Sequence, residues 1–217
     1  MLADASVAAH IPKTVVFSCG ALRLERTGDS CSLRTGRDEL KGLSLQKACM
    51  LVETVAGGDI FLLQPAINML SLGGRPFDTR VAVHGPYAEW ICTGLVSRVA
   101  APRKIVTNRR SSGTCVPFRW AFVKAGGGLE EAQAAESKLR DLSLRIATVL
   151  SRQYPGLREL GLDIGMDRDG MPWVFEVNTR PSYVAFSKLK NQSSYLTIHR
   201  YYCLICGTRT GVAHAPM

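Results

Sequence analysis

Residues 75–84 alternate between hydrophobic and polar side chains, which is the period of a β-strand with two chemically different faces. Phe77 and Val81 fall on one face, whereas Asp78 and Arg80 fall on the other. Such a strand can bury its apolar face while the second face carries an acid and a base next to one another. The pattern therefore predicts a sheet strand that also carries polar chemistry.

The other elements follow from patterns of the same kind. A helix is predicted over 44–56, where apolar residues recur at helical spacing and Ser44 can cap the first turn. The remaining predictions are strands at 14–24, 59–64, 90–100 and 105–108, a helix at 129–153 and a hairpin at 160–178. Because strands and helices are mixed without regular β-α-β alternation, the sequence predicts an α+β fold with antiparallel sheets. Residues 185–217 show little periodicity, and we expect them to be poorly ordered or peripheral.

The predicted hairpin brings two carboxylates together. Its turn sequence, Asp-Arg-Asp-Gly, is typical of a tight turn, and a loop at 168–171 pairs residue 167 with residue 172. Counting back along the two strands from that loop places Asp163 opposite Glu176. Two carboxylates in such a pair lie about 5 Å apart at their Cβ atoms and repel each other. A cation between them removes this repulsion.

Asn178 lies two residues beyond Glu176 on the same face of the hairpin and adds an amide oxygen to the pair. Two carboxylates and one amide, without sulfur, suit Mg²⁺ or Mn²⁺, which also bind phosphate oxygens and water. The alternative is a plain surface hairpin whose acids face the solvent. A calcium loop of the EF-hand type is disfavoured, because the sequence is strand-like on both sides of the turn.

The chain has 27 basic and 18 acidic residues, a formal net charge of +9, and this charge is unevenly distributed. Neither the stretch between Glu89 and Glu130 nor the sequence after Glu176 contains an acidic residue. A basic surface of this kind favours an anionic partner such as nucleotide phosphate, nucleic acid or an acidic surface. The alternative is a solvated basic face without a specific ligand.

Composition and motifs argue against several other classes of protein. Seven cysteines at irregular spacing do not suggest a disulfide framework, and no apolar run approaches the ~20 residues of a membrane span. No signal peptide is evident, so we expect a cytoplasmic protein. The sequence has no P-loop, Rossmann glycine fingerprint, nucleophile elbow or recognised nucleic-acid motif. A zinc knuckle at Cys203 and Cys206, with His199 and His214 nearby, is disfavoured because only one Cys-x-x-Cys pair exists.

Several motifs resemble those of a known family. Asp163, followed thirteen positions later by EVNTRP, resembles the metal-binding hairpin of the ATP-grasp superfamily. Upstream, the sequences GGRPFDTRVAVHG, EWICTGLVSRVA and IVTN resemble one branch more closely, the YheC/YheD-type endospore coat-associated proteins of spore-forming bacteria. The resemblance covers roughly residues 59–181, and the motifs occur in the same order.

The resemblance implies an ATP-grasp fold, in which two α+β lobes clamp ATP and a metal ion. It divides the chain into a partial first lobe at 1–68, a second lobe with the metal-binding hairpin at 69–187 and a basic tail at 188–217. Because the family normally has a further domain before the first lobe, the resemblance also implies an N-terminally truncated chain.

The resemblance assigns roles to residues of the second lobe. Asp163, Glu176 and Asn178 are implied as the ligands of Mg²⁺ or Mn²⁺. Arg80 is implied as the phosphate contact that would act in catalysis, and Arg98 is a second candidate for phosphate binding. An arginine suits this role because its guanidinium can donate two hydrogen bonds to phosphate oxygens. The alternative for Arg80 is an ion pair with an aspartate at the surface.

In the first lobe, Lys13 is implied as a phosphate contact and Gln64 as part of the adenine pocket. The glycine-rich flap that follows this lysine in the family is only partly matched. Phe17 and Leu22 lie where glycines would let the backbone approach phosphate closely. For Gln64, a buried structural role is the alternative.

Together these features favour a Mg-ATP-binding protein of ligase ancestry. Such enzymes activate a carboxylate with ATP before an amine or thiol displaces the phosphate. The expected partners are ATP, an unknown acceptor substrate and, through the resemblance, spore coat proteins. A non-catalytic, spore coat-associated structural protein that keeps the fold is the alternative, and a basic nucleic-acid-binding module is a weaker one.

Overall fold

The protein is described here from a computed structural model that defines residues 7, 9–10, 22–35, 38–56, 67–87, 89–102 and 113–207. Within these ranges the chain forms two antiparallel sheets flanked by helices. The strands are β1 (Leu22–Thr27), β2 (Ser30–Thr35), β3 (Asp38–Leu43), β4 (Ser71–Leu72), β5 (Arg75–His84), β6 (Ile91–Val99), β7 (Thr114–Val116), β8 (Glu159–Met166) and β9 (Pro172–Asn178). The helices are α1 (Leu45–Ala56), α2 (Phe118–Lys124), α3 (Leu129–Gln153), α4 (Val184–Ser187) and α5 (Ser193–Cys206). The α+β class predicted from the sequence is confirmed.

The smaller sheet has the order β1-β2-β3, and α1 packs against it. The backbone nitrogen of Lys47 donates to the Ser44 hydroxyl at 3.3 Å, which confirms the predicted cap at the start of α1. The shared core consists of Cys31, Leu33, Leu43 and Ala48. Of the strand predicted at 14–24, only residues 22–24 are described. The strands predicted at 59–64 and 105–108 lie outside the described residues.

The larger sheet has the order β7-β6-β5-β8-β9, with β4 paired to β5, and its pairs are antiparallel. β5 is therefore flanked on both sides along its length. Arg80 of β5 lies opposite Val96 of β6 and opposite Asp163 of β8. Asp78 lies opposite Arg98 of β6. The register thus gathers charged side chains from three neighbouring strands onto one face.

The two faces of this sheet are covered differently. On the apolar face, Val81 and Leu162 pack against Leu142 and Ile146 of α3 in the main core, as the alternation of β5 predicts. On the opposite face, α4 and α5 cover one end of the sheet through a second cluster. That cluster contains Ala82, Val96, Phe186, Leu189 and Ile198. The charged residues lie on this second face, next to the part that the two helices cover.

The hairpin of β8 and β9 pairs Asp163 with Glu176, as the sequence predicts. The predicted pairing next to the turn is wrong, because Pro172 pairs with Met166 and not with residue 167. A register shift reconciles the two observations, since Ile164 pairs with Val174 and the intervening Phe175 forms a β-bulge. The predicted pairing was therefore off by one residue at the turn. The bulge adds one residue to β9, which restores the predicted pairing of Asp163 with Glu176.

The expectation that residues after 185 lack regular structure is wrong for residues 193–206, which form α5. Ile198 and Cys203 of this helix are buried, and Tyr195 packs against the same cluster. The apolar stripe was difficult to recognise because an aromatic residue and a cysteine carry part of it. Within the described residues, none of the helices is long and apolar enough to cross a membrane. The boundaries between lobes and tail predicted from the resemblance stay a prediction.

Candidate functional site

A chain of four buried charged side chains crosses β6, β5 and β8. Arg98 donates through Nε and Nη2 to the two oxygens of Asp78, at 2.7 and 2.5 Å. Its Nη2 also lies 2.9 Å from Oδ2 of Asp163. Arg80 donates through Nε to Oδ1 of Asp163 and through Nη2 to Oδ2, the second at 3.0 Å. Each of the four side chains is at most 12% exposed, so this is a buried network and not a surface ion pair.

The network keeps Arg98 charged. Burial lowers the pKa of the Arg98 guanidinium, but the hydrogen bonds and charge of Asp78, together with Asp163, outweigh burial and raise the pKa above its ordinary value. A guanidinium that donates to both oxygens of a carboxylate is also fixed in orientation. Asp78 and Asp163 therefore hold two cations at defined positions on one face of the sheet.

Glu176 and Asn178 extend this face from β9. Glu176 is exposed and lies directly across from Asp163, and Asn178 lies across from Gly161. Within the described residues, the amide nitrogen of Asn178 is a buried polar atom that has no hydrogen-bond partner. Such an atom costs about 1–3 kcal/mol when it stays unsatisfied. A half-turn of the carboxamide presents its oxygen instead, which is the atom that a hard cation binds.

These donors fit a divalent metal that is bound together with phosphate. Asp163, Glu176 and Asn178 offer carboxylate and amide oxygens from two adjacent strands, and a ligand here would give the buried amide a partner. No group of three or more His, Cys, Asp or Glu side chains in the described part of the chain is arranged to hold a metal alone. Two carboxylates plus an amide leave coordination positions for phosphate oxygens and water, which is how Mg²⁺ commonly binds.

Asp167 has a different role, which agrees with its place in the predicted turn sequence Asp-Arg-Asp-Gly. Its Oδ1 accepts hydrogen bonds from the backbone nitrogens of Asp169 and Met171, at 3.0 and 2.8 Å. Its Oδ2 accepts from the indole nitrogen of Trp173 at 2.7 Å. Asp167 thus organises the turn and not a metal site.

The segment that follows β9 crosses the site face at Gly161. A Cβ atom at this position would overlap Pro181 and would lie 3.1 Å from Nη1 of Arg80. Only a glycine lets the proline and the guanidinium come this close to β8. Gly161 therefore shapes the space in which Arg80 lies.

Tyr183 anchors the end of that crossing segment in a second polar chain. Its hydroxyl donates to Oε2 of Glu159 at 2.6 Å and lies 2.9 Å from Nε2 of His84. Nδ1 of His84 lies 2.8 Å from the Thr93 hydroxyl. Burial raises the pKa of Glu159 and of Tyr183, and the acceptor Glu159 raises that of Tyr183 further. Apart from the place of His84 on the polar face of β5, local sequence patterns carry no signal for this group of polar side chains.

His84 is expected to make the stability of the protein depend on pH. Its side chain is fully buried, and this burial lowers its pKa from 6.5 to about 4. Between these values the unfolded chain binds more protons than the folded chain, so the free energy of unfolding falls as the pH falls. We expect His84 to contribute a loss of about 2 kcal/mol between pH 7 and pH 5. Urea unfolding at both pH values would measure this loss in the wild type and in His84→Gln.

The matched control for this prediction is His199→Gln, which removes an exposed histidine. It should keep the pH dependence of the wild type, whereas His84→Gln should reduce it. An unchanged dependence in His84→Gln would contradict the assignment. Glu159 does not mimic the effect, because its raised pKa changes stability in the opposite direction with pH.

The structure brings together some of the residues that the sequence singled out. Asp163, Glu176, Asn178, Arg80 and Arg98 share one face of the larger sheet. Arg80 does pair with an aspartate, as the alternative supposed, but the pair with Asp163 is buried and does not lie at the surface. The importance of Asp78, which holds Arg98, was missed because the pair depends on the order of the strands. Lys13 and Gln64 lie outside the described residues.

The other candidate features do not form a comparable site within the described residues. His199 and Cys203 approach each other on α5, with Nδ1 and Sγ 3.7 Å apart, but they do not belong to a group that could hold a metal. In the basic stretch, Arg119 donates to Glu136, which also accepts from Arg140 of α3. Part of this positive charge is therefore already paired within the protein.

This chain matches a protein-family model, a curated protein and solved structures. A family model described as YheC/D-like ATP-grasp matches residues 15–205. The endospore coat-associated protein YheD of Bacillus subtilis (strain 168) is 27% identical over 129 residues, which cover 58% of this chain and 28% of that protein. This chain therefore spans less than a third of the length of that curated relative.

The solved structures that match this chain include the following two enzymes. N5-carboxyaminoimidazole ribonucleotide synthetase from Thermotoga maritima is 12% identical with a TM-score of 0.44, and the match covers 95% of this chain and 47% of that one. A RiPP-associated ATP-grasp ligase from Chryseobacterium gregarium, in complex with ADP and a leader and core peptide, is 9% identical with a TM-score of 0.43. That match covers 91% of this chain and 55% of the ligase.

Proposed function

The chain belongs to the YheC/D-like ATP-grasp family, and from this premise we propose that it binds ATP together with Mg²⁺ or Mn²⁺. The observation that carries the proposal is the arrangement on β8 and β9. Asp163 faces Glu176 across the two strands, and the neighbouring amide of Asn178 is buried without a hydrogen-bond partner. The unpartnered amide is unfavourable without a ligand, and a half-turn of the carboxamide would let its oxygen bind a cation next to the two carboxylates.

Each residue of the site has a proposed role. Asp163, Glu176 and Asn178 would hold the metal, which when bound would neutralise charge on the phosphate oxygens. Arg80 would donate to a phosphate oxygen and act during phosphoryl transfer, and Arg98 would add positive charge from its fixed position beside Asp78. Lys13 and Gln64, which the resemblance implies as contacts of the phosphates and the adenine, complete the proposal from the first lobe.

The reaction class that we propose is that of a ligase, in which ATP activates a carboxylate for attack by an amine or thiol. The acceptor is an unidentified small molecule or peptide. We further propose a cytoplasmic protein that associates with the spore and its coat proteins. Support for this part comes from the curated relative, which is named an endospore coat-associated protein.

A second candidate function is a non-catalytic protein that keeps the fold. One observation favours it, namely that both oxygens of Asp163 already accept hydrogen bonds from arginines. A site whose charges are satisfied internally can serve a structural purpose without turnover. Binding of ATP without release of ADP, over a panel of carboxylates and amines, would favour this candidate.

Calorimetric titration with ATP, with and without Mg²⁺, tests the first proposal. We expect the wild type to bind ATP only when Mg²⁺ is present, and Glu176→Gln to weaken this binding at least about tenfold, because the metal loses a charged ligand. The matched control is Asp169→Asn, which removes an exposed carboxylate from the turn of the same hairpin. Its affinity should equal that of the wild type.

Two results would contradict the proposal. The first is a wild type that does not bind ATP with either metal. The second is equal weakening by Glu176→Gln and Asp169→Asn, which would indicate an effect of overall charge and not of a defined site.

A further inference from the structure

Arg80 and Arg98 both donate to Asp163, but they are held in different ways. Arg98 donates to both oxygens of Asp78, at 2.7 and 2.5 Å, and makes a single contact of 2.9 Å with Asp163. Both hydrogen bonds that Arg80 makes with described residues go to Asp163. If Asp163 takes another partner, Arg98 therefore keeps a carboxylate and Arg80 does not.

The charges at this position make such an exchange unfavourable with a metal alone. Three carboxylates (Asp78, Asp163 and Glu176) and two guanidiniums (Arg80 and Arg98) leave these side chains with a net formal charge of −1. A divalent cation reverses the sign and places the metal next to two arginines. The repulsion between the metal and these two guanidiniums is strong because both side chains are largely shielded from water.

A polyphosphate removes this obstacle. Its negative charge offsets that of the added cation, and its oxygens can accept both hydrogen bonds that Arg80 gives up. Gly161 lets the guanidinium lie close against β8, with Nη1 3.1 Å from the position that a Cβ atom would take. The arginine that loses its partner is thus already placed in the site.

We propose that Asp163 exchanges the guanidinium of Arg80 for the metal ion, and that Arg80 then binds a phosphate of the nucleotide. Arg98 stays with Asp78 in both states. The inference rests on the proposed function and adds that the site disfavours metal without nucleotide. In the empty protein Arg80 acts as an internal competitor of the metal, and in the loaded protein it acts as a ligand of the nucleotide.

Opposite changes in two affinities test this inference. The full chain is titrated with Mn²⁺ alone, followed by electron paramagnetic resonance of the free ion, and separately with a non-hydrolysable ATP analogue at saturating Mg²⁺. Arg80→Gln should tighten Mn²⁺ binding about fivefold or more, because the competing guanidinium is gone. The same variant should weaken binding of the analogue by a similar factor, because a phosphate contact is lost.

Two other variants serve as controls. Arg80→Lys keeps the charge and should stay close to the wild type in its affinity for Mn²⁺. Arg119→Gln removes an arginine that is 56% exposed and pairs with Glu136 on another part of the protein. Neither of its affinities should change. A change in either affinity would indicate a general effect of lowering the net charge.

A measurement on the wild type keeps the test decisive if Arg80→Gln does not fold. Nitrogen-15 NMR resolves the Nε–H groups of buried arginines, and the signal of Arg80 can be assigned through Arg80→Lys. On addition of the Mg²⁺-loaded analogue, the Arg80 signal should shift, whereas the Arg98 signal, whose Nε donates to Asp78, should stay nearly unchanged.

The outcomes separate the two proposals. If the wild type binds neither Mn²⁺ nor the analogue, the proposed function fails and this inference fails with it. If both bind but Arg80→Gln does not tighten Mn²⁺ binding, or the Arg80 signal does not shift, the inference alone is overturned. Tighter metal binding with weaker nucleotide binding supports both.

Discussion

Replacement of Asp163 by asparagine is expected to lower the free energy of unfolding by about 3–5 kcal/mol, the usual cost of breaking a buried ion pair from one side. Asp163 accepts hydrogen bonds from Arg80 and Arg98, and the side chains of all three are at most 12% exposed. Asparagine has nearly the same shape but carries no charge and offers one acceptor oxygen fewer. Arg80 would then be left buried without a carboxylate. Urea unfolding followed by circular dichroism would measure the loss.

Glu176→Gln is the matched control, because it removes the carboxylate that faces Asp163 but is exposed. It should change the free energy of unfolding by no more than about 0.5 kcal/mol. Asp163 supports the fold, whereas both facing acids would hold the metal. The two variants thus separate the structural role from the role in metal binding. A loss below about 1 kcal/mol in Asp163→Asn would contradict the importance of the buried network.

Replacement of Phe186 by alanine is expected to cost about 3–5 kcal/mol, because it opens a cavity in a fully buried cluster. Phe186 is not exposed and packs with Ala82, Val96 and Ile198 between the sheet and α5. A Cβ atom at Gly94 of β6 would lie 2.9 Å from Cε1 of this ring, which shows how closely the ring contacts the sheet. Urea unfolding would give the loss, and hydrogen exchange should show that α5 is deprotected more than α3.

The control for Phe186→Ala is Leu196→Ala on the outer side of α5, where the side chain is 65% exposed. Its effect should stay within about 0.5 kcal/mol. Equal losses in the two variants would indicate that α5 is stabilised by its own helical propensity and not by packing on the sheet.

Local patterns were sufficient to predict one half of the candidate site. The facing of Asp163 and Glu176 follows from the chemistry of the turn and from the two-residue period of strands, both of which are properties of a short sequence. The predicted register was nevertheless wrong beside the turn, because a bulge does not alter the sequence period in a recognisable way. The correct pair was reached since the bulge offset an error of one residue.

The partners of the arginines could not be predicted in the same way. Arg80 contacts Asp163 because β8 lies beside β5, although the two residues are 83 positions apart along the chain. Arg98 contacts Asp78 because β6 lies on the other side. Strand order results from the packing of the whole sheet and has no local signature. For the same reason, the role of Tyr183 in tying the crossing segment to His84 was not anticipated.

The bulge at Phe175 has a consequence for the recognition of related sites. Ile164 pairs with Val174 and Asp163 pairs with Glu176, so the ladder would be continuous if the residue between them were absent. In a chain one residue shorter at this point, the same two acids could face each other with the second acid twelve positions after the first in place of thirteen. Searches for this site that require a fixed spacing would therefore reject hairpins with equivalent geometry. The pairing of the two acids is the property to search for, and their distance along the sequence is free to vary.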